Sequence, residues 1–144
     1  MQIDEKDRQL LLLLSENARS SVSDLARALG LARTTVQARI ERLENTGYIA
    51  GYTLRKGPSA RPVLRASALL SVEPRSGAAV LQKLKTLPQV EKVHTTSGRF
   101  DLVVELSAQS TEELDETLDD IGAARGVKSS ESLIHLSTKI DRSA

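Results

Sequence analysis

The sequence of 144 residues contains no cysteine and no tryptophan, and only two tyrosines and one phenylalanine. Without cysteine there is neither a disulfide framework nor a thiolate metal site. Proteins that bind single-stranded nucleic acid stack bases on aromatic side chains, so the scarcity of aromatics argues against that class. The longest strictly apolar run, Leu10–Leu14, is far too short to span a bilayer. No apolar segment follows a basic start, so we expect no signal peptide, no membrane partner and a cytoplasmic location.

Charge is distributed unevenly along a chain whose formal net charge is only +1. Residues 1–62 carry ten Lys and Arg against seven Asp and Glu, a net of +3, whereas residues 63–144 carry ten against twelve, a net of −2. Within residues 19–61 the count is eight against three. A cationic cluster favours a polyanionic partner because binding releases condensed counterions. Mixed charges that merely keep a small protein soluble are the alternative.

The segment from Val22 to Ile49 has the pattern of a helix-turn-helix. A short apolar helix, which Ser21 can cap, ends at Gly30, where a helix C-terminus favours a residue at positive φ. A second helix is predicted from Arg33 to Thr46, and Gly47 ends it in the same way. The second helix of such a pair is the one that enters the DNA major groove.

This second helix has an apolar side and a polar side. Val36, Ile40 and Leu43 share one stripe at helical spacing, which we expect to pack inward. Side chains near the helix start would then reach base edges, while Arg39 and Arg42 lie on the flanks and suit phosphates better. An ordinary amphipathic hairpin with a solvated polar face is the alternative. The predicted DNA-binding residues are Arg33, Thr34, Thr35, Gln37, Ala38, Arg39 and Arg42.

The rest of the first half completes a winged helix-turn-helix domain over residues 1–54. A helix beginning at Asp4 supplies a third apolar face, and residues 48–54 are predicted to form a short wing strand. Residues 55–62 are rich in Gly, Pro, Ser and charge, which is typical of a linker.

Residues 63–144 alternate between strand and helix periodicity in the order βαββαβ. This order predicts a ferredoxin-like domain, so the fold class is α+β. Apolar residues also occur on the strand face opposite the helices, for example Leu69 and Val103, which predicts a homodimer formed through that open face. The predicted strands are 63–73, 90–96, 100–106 and 127–138, and the predicted helices are 76–86 and one that Ser110 caps.

Short fragments in a fixed order run from Ile3 to about Lys139. They are Asp4 and Asp7 before Leu10-Leu11, Asn17-Ala18-Arg19, Leu25-Ala26, Gly30-Leu31, Thr35-Val36, Arg39, Leu43-Glu44, Gly47, Ile49, Gly51-Tyr52 and Ser97-Gly98-Arg99-Phe100-Asp101. Their order and spacing resemble the Lrp/AsnC family of transcriptional regulators, also called feast/famine regulators. One departure is Ala32, which stands where the family usually has a serine that caps the recognition helix.

The resemblance implies a sequence-specific regulator that binds double-stranded DNA and needs no cofactor, with residues 63–144 as its effector-binding and oligomerisation domain. It implies homodimers that assemble further, often to octamers, and an amino-acid-like effector bound near the glycine-containing turn at contacts between dimers. Gly98 and Asp101 could instead simply form and cap a hairpin turn. The effector-binding residues that the resemblance implies are Ser97, Gly98, Arg99, Asp101, Ser130 and Ser132.

Two other functions stay open at this point. Sirohaem decarboxylases resemble the same architecture, but the only histidines are His94 and His135, each on a predicted strand. The sequence contains no nucleophile–base pair, phosphate-binding loop or metal-ligand spacing, so we expect neither an enzyme nor a metal site. The other alternative is an effector-binding assembly protein whose DNA-binding half no longer functions. The basic excess in residues 19–61 argues against it.

Overall fold

The computed structural model describes residues 2–57, 59–60 and 63–143, and it begins with three helices. They are α1 (Glu5–Glu16), α2 (Val22–Leu29) and α3 (Arg33–Asn45). Asp4 caps α1 in a complete capping box with Asp7, and Ser21 caps α2. Ala32, at the same position before α3, has no side-chain oxygen and makes no cap. The predicted helix-turn-helix is therefore present, and α3 ends one residue earlier than predicted.

A single apolar cluster holds these helices together. Val36 and Leu43 of α3 are fully buried and Ile40 is partly buried beside them, so α3 packs through the predicted stripe. Burying one such side chain contributes about 1.5–3 kcal/mol. The other buried members of the cluster are Leu10, Leu14, Leu25, Ala26 and Leu29.

The prediction of a wing strand over residues 48–54 is wrong, because the structure has no strand there. The Ile49 N–H instead donates to the Leu43 carbonyl at 2.9 Å and closes the end of α3. The Tyr52 hydroxyl donates to Glu44 Oε2 at 3.1 Å, so this segment follows the end of the helix. A strand needs a neighbour to pair its backbone groups, and no described segment of the chain pairs with residues 48–54.

The second half is a four-stranded antiparallel sheet with two helices. Its strand order is β2-β3-β1-β4, and each neighbouring pair is antiparallel. This is the predicted βαββαβ arrangement, and Ser110 caps the second helix by accepting the Glu113 N–H at 3.1 Å. The elements are β1 (Leu64–Val72), α4 (Gly77–Lys85), β2 (Val90–Thr95), β3 (Leu102–Ala108), α5 (Thr111–Gly122) and β4 (Val127–Ile134).

All four strands differ from their predicted bounds: β1 is one residue shorter at each end, β2 ends one residue earlier, β3 also ends two residues later, and β3 and β4 show the largest changes. β3 begins at Leu102 rather than Phe100, because the Thr96 hydroxyl donates to the Phe100 carbonyl at 2.7 Å and holds that residue in the turn. β4 ends at Ile134 rather than Thr138, because its partner β1 begins at Leu64. The His135 N–H still donates to the Arg65 carbonyl at 2.9 Å, and the pairing stops there.

The two faces of the sheet differ in character. One face is buried under α4 and α5 and forms a second core around Leu70, Val104 and Leu106. On the open face, Leu69 lies opposite Val103 on one side and Glu131 on the other, and Leu133 of β4 is 51% exposed. The open face is thus partly apolar, as the sequence predicts.

The two cores have no described residue in common, and the chain divides into two compact units after Gly57. This point falls within the predicted linker 55–62, of which Pro58, Arg61 and Pro62 lie outside the described residues. None of the helices in the described part of the chain has the length and apolar character that crossing a lipid bilayer requires.

Candidate functional site

The side of α3 that faces away from the core is exposed and polar. Arg33, Thr34 and Gln37 line an open depression of about 390 Å³ together with Val22 at the start of α2. These side chains present a guanidinium, a hydroxyl and an amide, the groups that hydrogen-bond base edges in a major groove. Of the predicted DNA-binding residues, those exposed are Arg33, Thr34, Thr35, Gln37, Ala38 and Arg42.

The amide of Gln37 has a partner on its own helix. Its Nε2 donates to Glu41 Oε1 at 3.2 Å, one helical turn further on. This hydrogen bond is exposed, so exchanging it for a bond to another polar group changes the free energy little. Gln37 is therefore available to an external partner with matching donors and acceptors.

Arg39 is placed differently from the prediction. Its Nη1 donates to both carboxylate oxygens of Asp4, at 2.8 Å each, and to Asp7 Oδ1 at 2.9 Å. Arg42 Nη2 donates to Asp7 Oδ2 at 2.5 Å. We call these four residues the Asp–Arg cluster. Because the Arg39 side chain is only 21% exposed, the predicted phosphate contact from Arg39 does not fit this geometry, whereas the half-exposed Arg42 retains access to solvent.

The Asp–Arg cluster perturbs the titration of two of its members. The hydrogen bond from Arg39, followed by that from the Asp7 N–H, lowers the pKa of Asp4 to about 2. The hydrogen bonds to Asp4 and then Asp7 raise the pKa of the Arg39 guanidinium. Both groups thus carry full charge at neutral pH. Sequence reasoning placed Asp4 and Asp7 only at the helix start, because nothing local indicates that α3 lies beside it.

A second candidate site lies at the end of the sheet where β1 and β4 meet the turn before β3. A groove of about 380 Å³ is lined there by Ser71, Arg99, Phe100, Ser129, Ser130 and Glu131. Arg99 Nη2 lies 3.5 Å from Glu131 Oε2, and the guanidinium carbon of Arg99 lies 4.9 Å from the centre of the Phe100 ring. The groove therefore offers one cation, one anion and an aromatic surface, which suits a small zwitterion with an apolar side chain.

Two of the six predicted effector-binding residues, Arg99 and Ser130, line this groove, and four do not. Gly98 supplies the turn at φ +110°. Asp101 Oδ2 accepts the Val72 N–H at 2.8 Å, so its carboxylate holds the sheet rather than the groove. Ser97 belongs to the same turn, and Ser132 lies one pair further along β4, opposite Ala68.

The sequence prediction missed four residues of the groove. Ser71 and Ser129 face each other across β1 and β4, and Glu131 follows on the same face of β4. Only the register between the two strands brings them together, and that register is not visible in either segment alone. Phe100 was assigned to a strand, although its place beside the turn was a usable signal.

Other hollows and the histidines lie apart from both sites. A hollow of about 650 Å³ is lined by residues 14–19 and 51–57, where Arg55 donates to the Glu16 carbonyl at 3.2 Å. His94 lies in β2 opposite Val103, and His135 Nε2 lies 2.9 Å from the Ser67 hydroxyl. Neither histidine lines the groove beside Arg99.

Each of the two units matches a known protein family. Residues 3–44 match the AsnC-type helix-turn-helix domain, and residues 65–144 match the Lrp/AsnC ligand binding domain. The HTH-type transcriptional regulator FL11 of Pyrococcus furiosus is 29% identical over 135 residues, which cover 93% of this chain and 89% of the relative. An uncharacterised HTH-type transcriptional regulator of the same organism is 32% identical over 139 residues, covering 95% and 94%.

Solved structures agree with these matches. AsnC of E. coli superposes with a TM-score of 0.89 at 26% identity, covering 100% of this chain and 99% of that one. The feast or famine regulatory protein of M. tuberculosis, complexed with L-methionine, superposes with a TM-score of 0.83 at 28% identity, covering 96% and 95%.

Proposed function

Because the chain belongs to the Lrp/AsnC family of DNA-binding transcription regulators, we propose that α3 binds specific duplex sequences and that an amino-acid-like effector tunes this binding. Its relatives are transcriptional regulators, and the chain is a regulator rather than an enzyme. It acts in the cytoplasm, with no cofactor. The observation that carries the proposal is the exposed polar side of α3 around Gln37, on a helix whose apolar stripe packs into the core through the fully buried Val36 and Leu43.

The first part of the proposal concerns contacts with DNA. The residues at the start of α3 face the bases, and Arg42, lower on the helix, contacts phosphate. Arg39 is left out, because its Nη1 already binds two carboxylates. The residues that face the bases are Arg33, Thr34, Thr35, Gln37 and Ala38.

The substitution Gln37→Ala tests this arrangement. Duplexes are selected from a random pool by the wild-type protein and by the variant, and the preferred sequences are compared. We expect the variant to lose preference at one or two base pairs, at a cost of about 1–3 kcal/mol for the lost bidentate contact. Gln82→Ala, at an exposed position of α4, is the matched control and keeps the wild-type preference. If the wild-type protein bound no duplex even at low salt, the remaining function would be that of an effector-binding assembly protein.

The second part concerns the effector. The groove beside Arg99 can hold an α-carboxylate on its guanidinium and an α-ammonium on Glu131, while Phe100 contacts an apolar side chain. A relative of the same fold is known in complex with L-methionine. We propose that this chain likewise binds an amino acid with an apolar side chain. Arg99 and Glu131 would give up their mutual ion pair and bind the charged groups of the ligand instead.

A thermal-shift screen of the twenty amino acids tests the groove. A ligand that binds only the folded protein raises the melting temperature as its concentration increases. The expected result is a shift with one or a few amino acids that Arg99→Gln abolishes and that Arg125→Gln, at another exposed arginine of this unit, leaves in place. A shift that survives Arg99→Gln would place the effector elsewhere.

The third part concerns assembly. We propose a homodimer through the open face of the sheet, where Leu69, Val103 and Leu133 are only partly covered, and further association of dimers to an octamer. An effector that binds one assembly state more tightly shifts the equilibrium toward it and changes the spacing of paired α3 helices. Sedimentation analysis should show a dimer or larger that Leu133→Lys dissociates.

A further inference from the structure

The start of α1 is tied by polar contacts to both helices of the helix-turn-helix. Lys6 Nζ donates to the Leu29 carbonyl at 2.7 Å, which occupies a backbone acceptor at the end of α2. The Asp–Arg cluster connects the same turn of α1 to α3. The first turn of α1 and its cap thus contact both the end of α2 and the middle of α3. α1 itself presents no side chain in the depression at the start of α3.

The Asp–Arg cluster restrains its side chains more than an ordinary ion pair at a protein surface does. Asp7 is fully buried and accepts from two arginines, while its N–H donates to Asp4 Oδ1 at 2.8 Å. The Asp4 N–H donates back to Asp7 Oδ2 at 3.3 Å. An isolated exposed ion pair restrains little, because two flexible side chains can separate into water. Here one carboxylate has no access to water, so the arginines cannot leave it without stranding a buried charge.

Arg39 and Arg42 lie three residues apart and therefore on one side of α3, which at 3.6 residues per turn is roughly opposite the side that carries Gln37. Holding that side against α1 fixes the rotation of α3 about its own axis. A side chain lies about 5–6 Å from the helix axis, so a rotation of about 20° displaces it by about 2 Å. A displacement of that size breaks a hydrogen bond.

We infer that Asp4 and Asp7 are positioning residues for DNA sequence recognition, because through Arg39 they fix the rotation of α3 and so the aim of Gln37 at base edges. The inference rests on the proposed binding of DNA by α3. The Nε of Arg39 is buried without a hydrogen-bond partner among the described residues, which agrees with a guanidinium positioned by carboxylates rather than offered to phosphate. Loss of the contact between the aspartates and Arg39 leaves the basic side chains of α3 in place but changes the direction in which Gln37 points.

The test compares Asp4→Asn with Glu5→Gln, which removes the same charge one residue away, where Glu5 forms an ion pair with the exposed Arg8. The measured quantity is the ratio of affinities for the duplex selected by the wild-type protein and for a random duplex. This ratio does not depend on the fraction of folded protein. We expect Asp4→Asn to lower it by about fivefold, the lower end for losing one bidentate base contact, and Glu5→Gln to leave it unchanged.

A second variant separates positioning from phosphate binding. If Arg39 contacted phosphate, Arg39→Gln would weaken both duplexes alike and reduce the slope of log affinity against log salt by about 0.9. The positioning role predicts a loss on the selected duplex alone, with a change of slope below about half that value.

Each outcome bears on a distinct claim. A wild-type ratio of one would overturn the proposed function and this inference with it. A wild-type protein that discriminates, together with an Asp4→Asn variant that discriminates equally well, would overturn the inference and leave the proposed function standing.

Discussion

The carboxylate of Asp101 accepts the backbone N–H of Val72 at 2.8 Å, across the end of the sheet. The pairing of β1 with β3 ends at Leu70 opposite Leu102, so the Val72 N–H, two residues further on and facing the same side, has no β3 carbonyl as a ladder partner. Asp101 supplies the missing acceptor. It also anchors the turn that carries Arg99, since its own N–H donates to the Leu70 carbonyl at 2.8 Å.

Asp101→Ala should therefore affect both stability and effector binding. We expect the free energy of unfolding to fall by about 1 kcal/mol, the net value of one hydrogen bond, and the effector-induced rise in melting temperature to disappear, while affinity for DNA is retained. Urea denaturation and thermal shift measure the two effects. Asp115→Ala, at an exposed position of α5, is the control. An unaltered effector response in the Asp101 variant would contradict the role given to the turn.

The pH dependence of stability should reveal the ion pair of Asp4. Its pKa is lowered from 3.8 to about 2, first by Arg39 and then by the Asp7 N–H. A lowered pKa stabilises the folded state above the unfolded value of 3.8, and this contribution disappears as pH falls through about 2. We expect the higher urea midpoint of wild type over Asp4→Asn to persist at pH 6 and to vanish between pH 4 and 2. A difference that stayed constant down to pH 2 would argue against the pairing.

Restoring the missing cap on α3 should stabilise the first unit. Ala32 already has the extended backbone of a cap residue, at φ −70° and ψ 149°, so Ala32→Ser needs no rearrangement. The serine oxygen can accept an N–H of the first turn, which adds about 1 kcal/mol to the free energy of unfolding. The control Ala28→Ser, on the exposed side of α2, should slightly destabilise because serine is a poorer helix former. Equal effects at both positions would refute the capping argument.

Gly126 is required by both its backbone and its surroundings. It lies at φ +99°, and a Cβ built on it would come within 2.6 Å of the Ser76 Cβ. We expect Gly126→Ala to cost about 1–3 kcal/mol through strain, before the clash is counted. Gly77→Ala meets nothing within 4 Å and should be neutral or slightly stabilising. Chemical denaturation of the two variants distinguishes them, and similar midpoints would show that residue 126 tolerates a side chain.

Local signals made much of the fold predictable. Ser21 and Ser110 cap helices because their side-chain oxygens accept the backbone N–H three residues further on. Both partners of each hydrogen bond are therefore visible in a short stretch of sequence. The strands of the second unit followed from their alternation. The wing at residues 48–54 failed because strand propensity alone does not provide a partner for the backbone.

The sites were harder to predict because their residues come from distant parts of the chain. Exposure of Gln37 follows from helical periodicity, and the structure confirms it. The engagement of Arg39 by Asp4, 35 residues away, depends on how α1 lies against α3. The grouping of Ser71 with Glu131 likewise depends on strand register.

Within the part of the chain that the structure describes, no residue belongs to both cores, and this has an evolutionary consequence. Substitutions that alter the packing of one unit do not require compensating substitutions in the core of the other. Under the proposed function, related chains can therefore diverge in the small molecule that they bind while keeping the DNA sequences that they recognise, or diverge in those sequences while binding the same molecule.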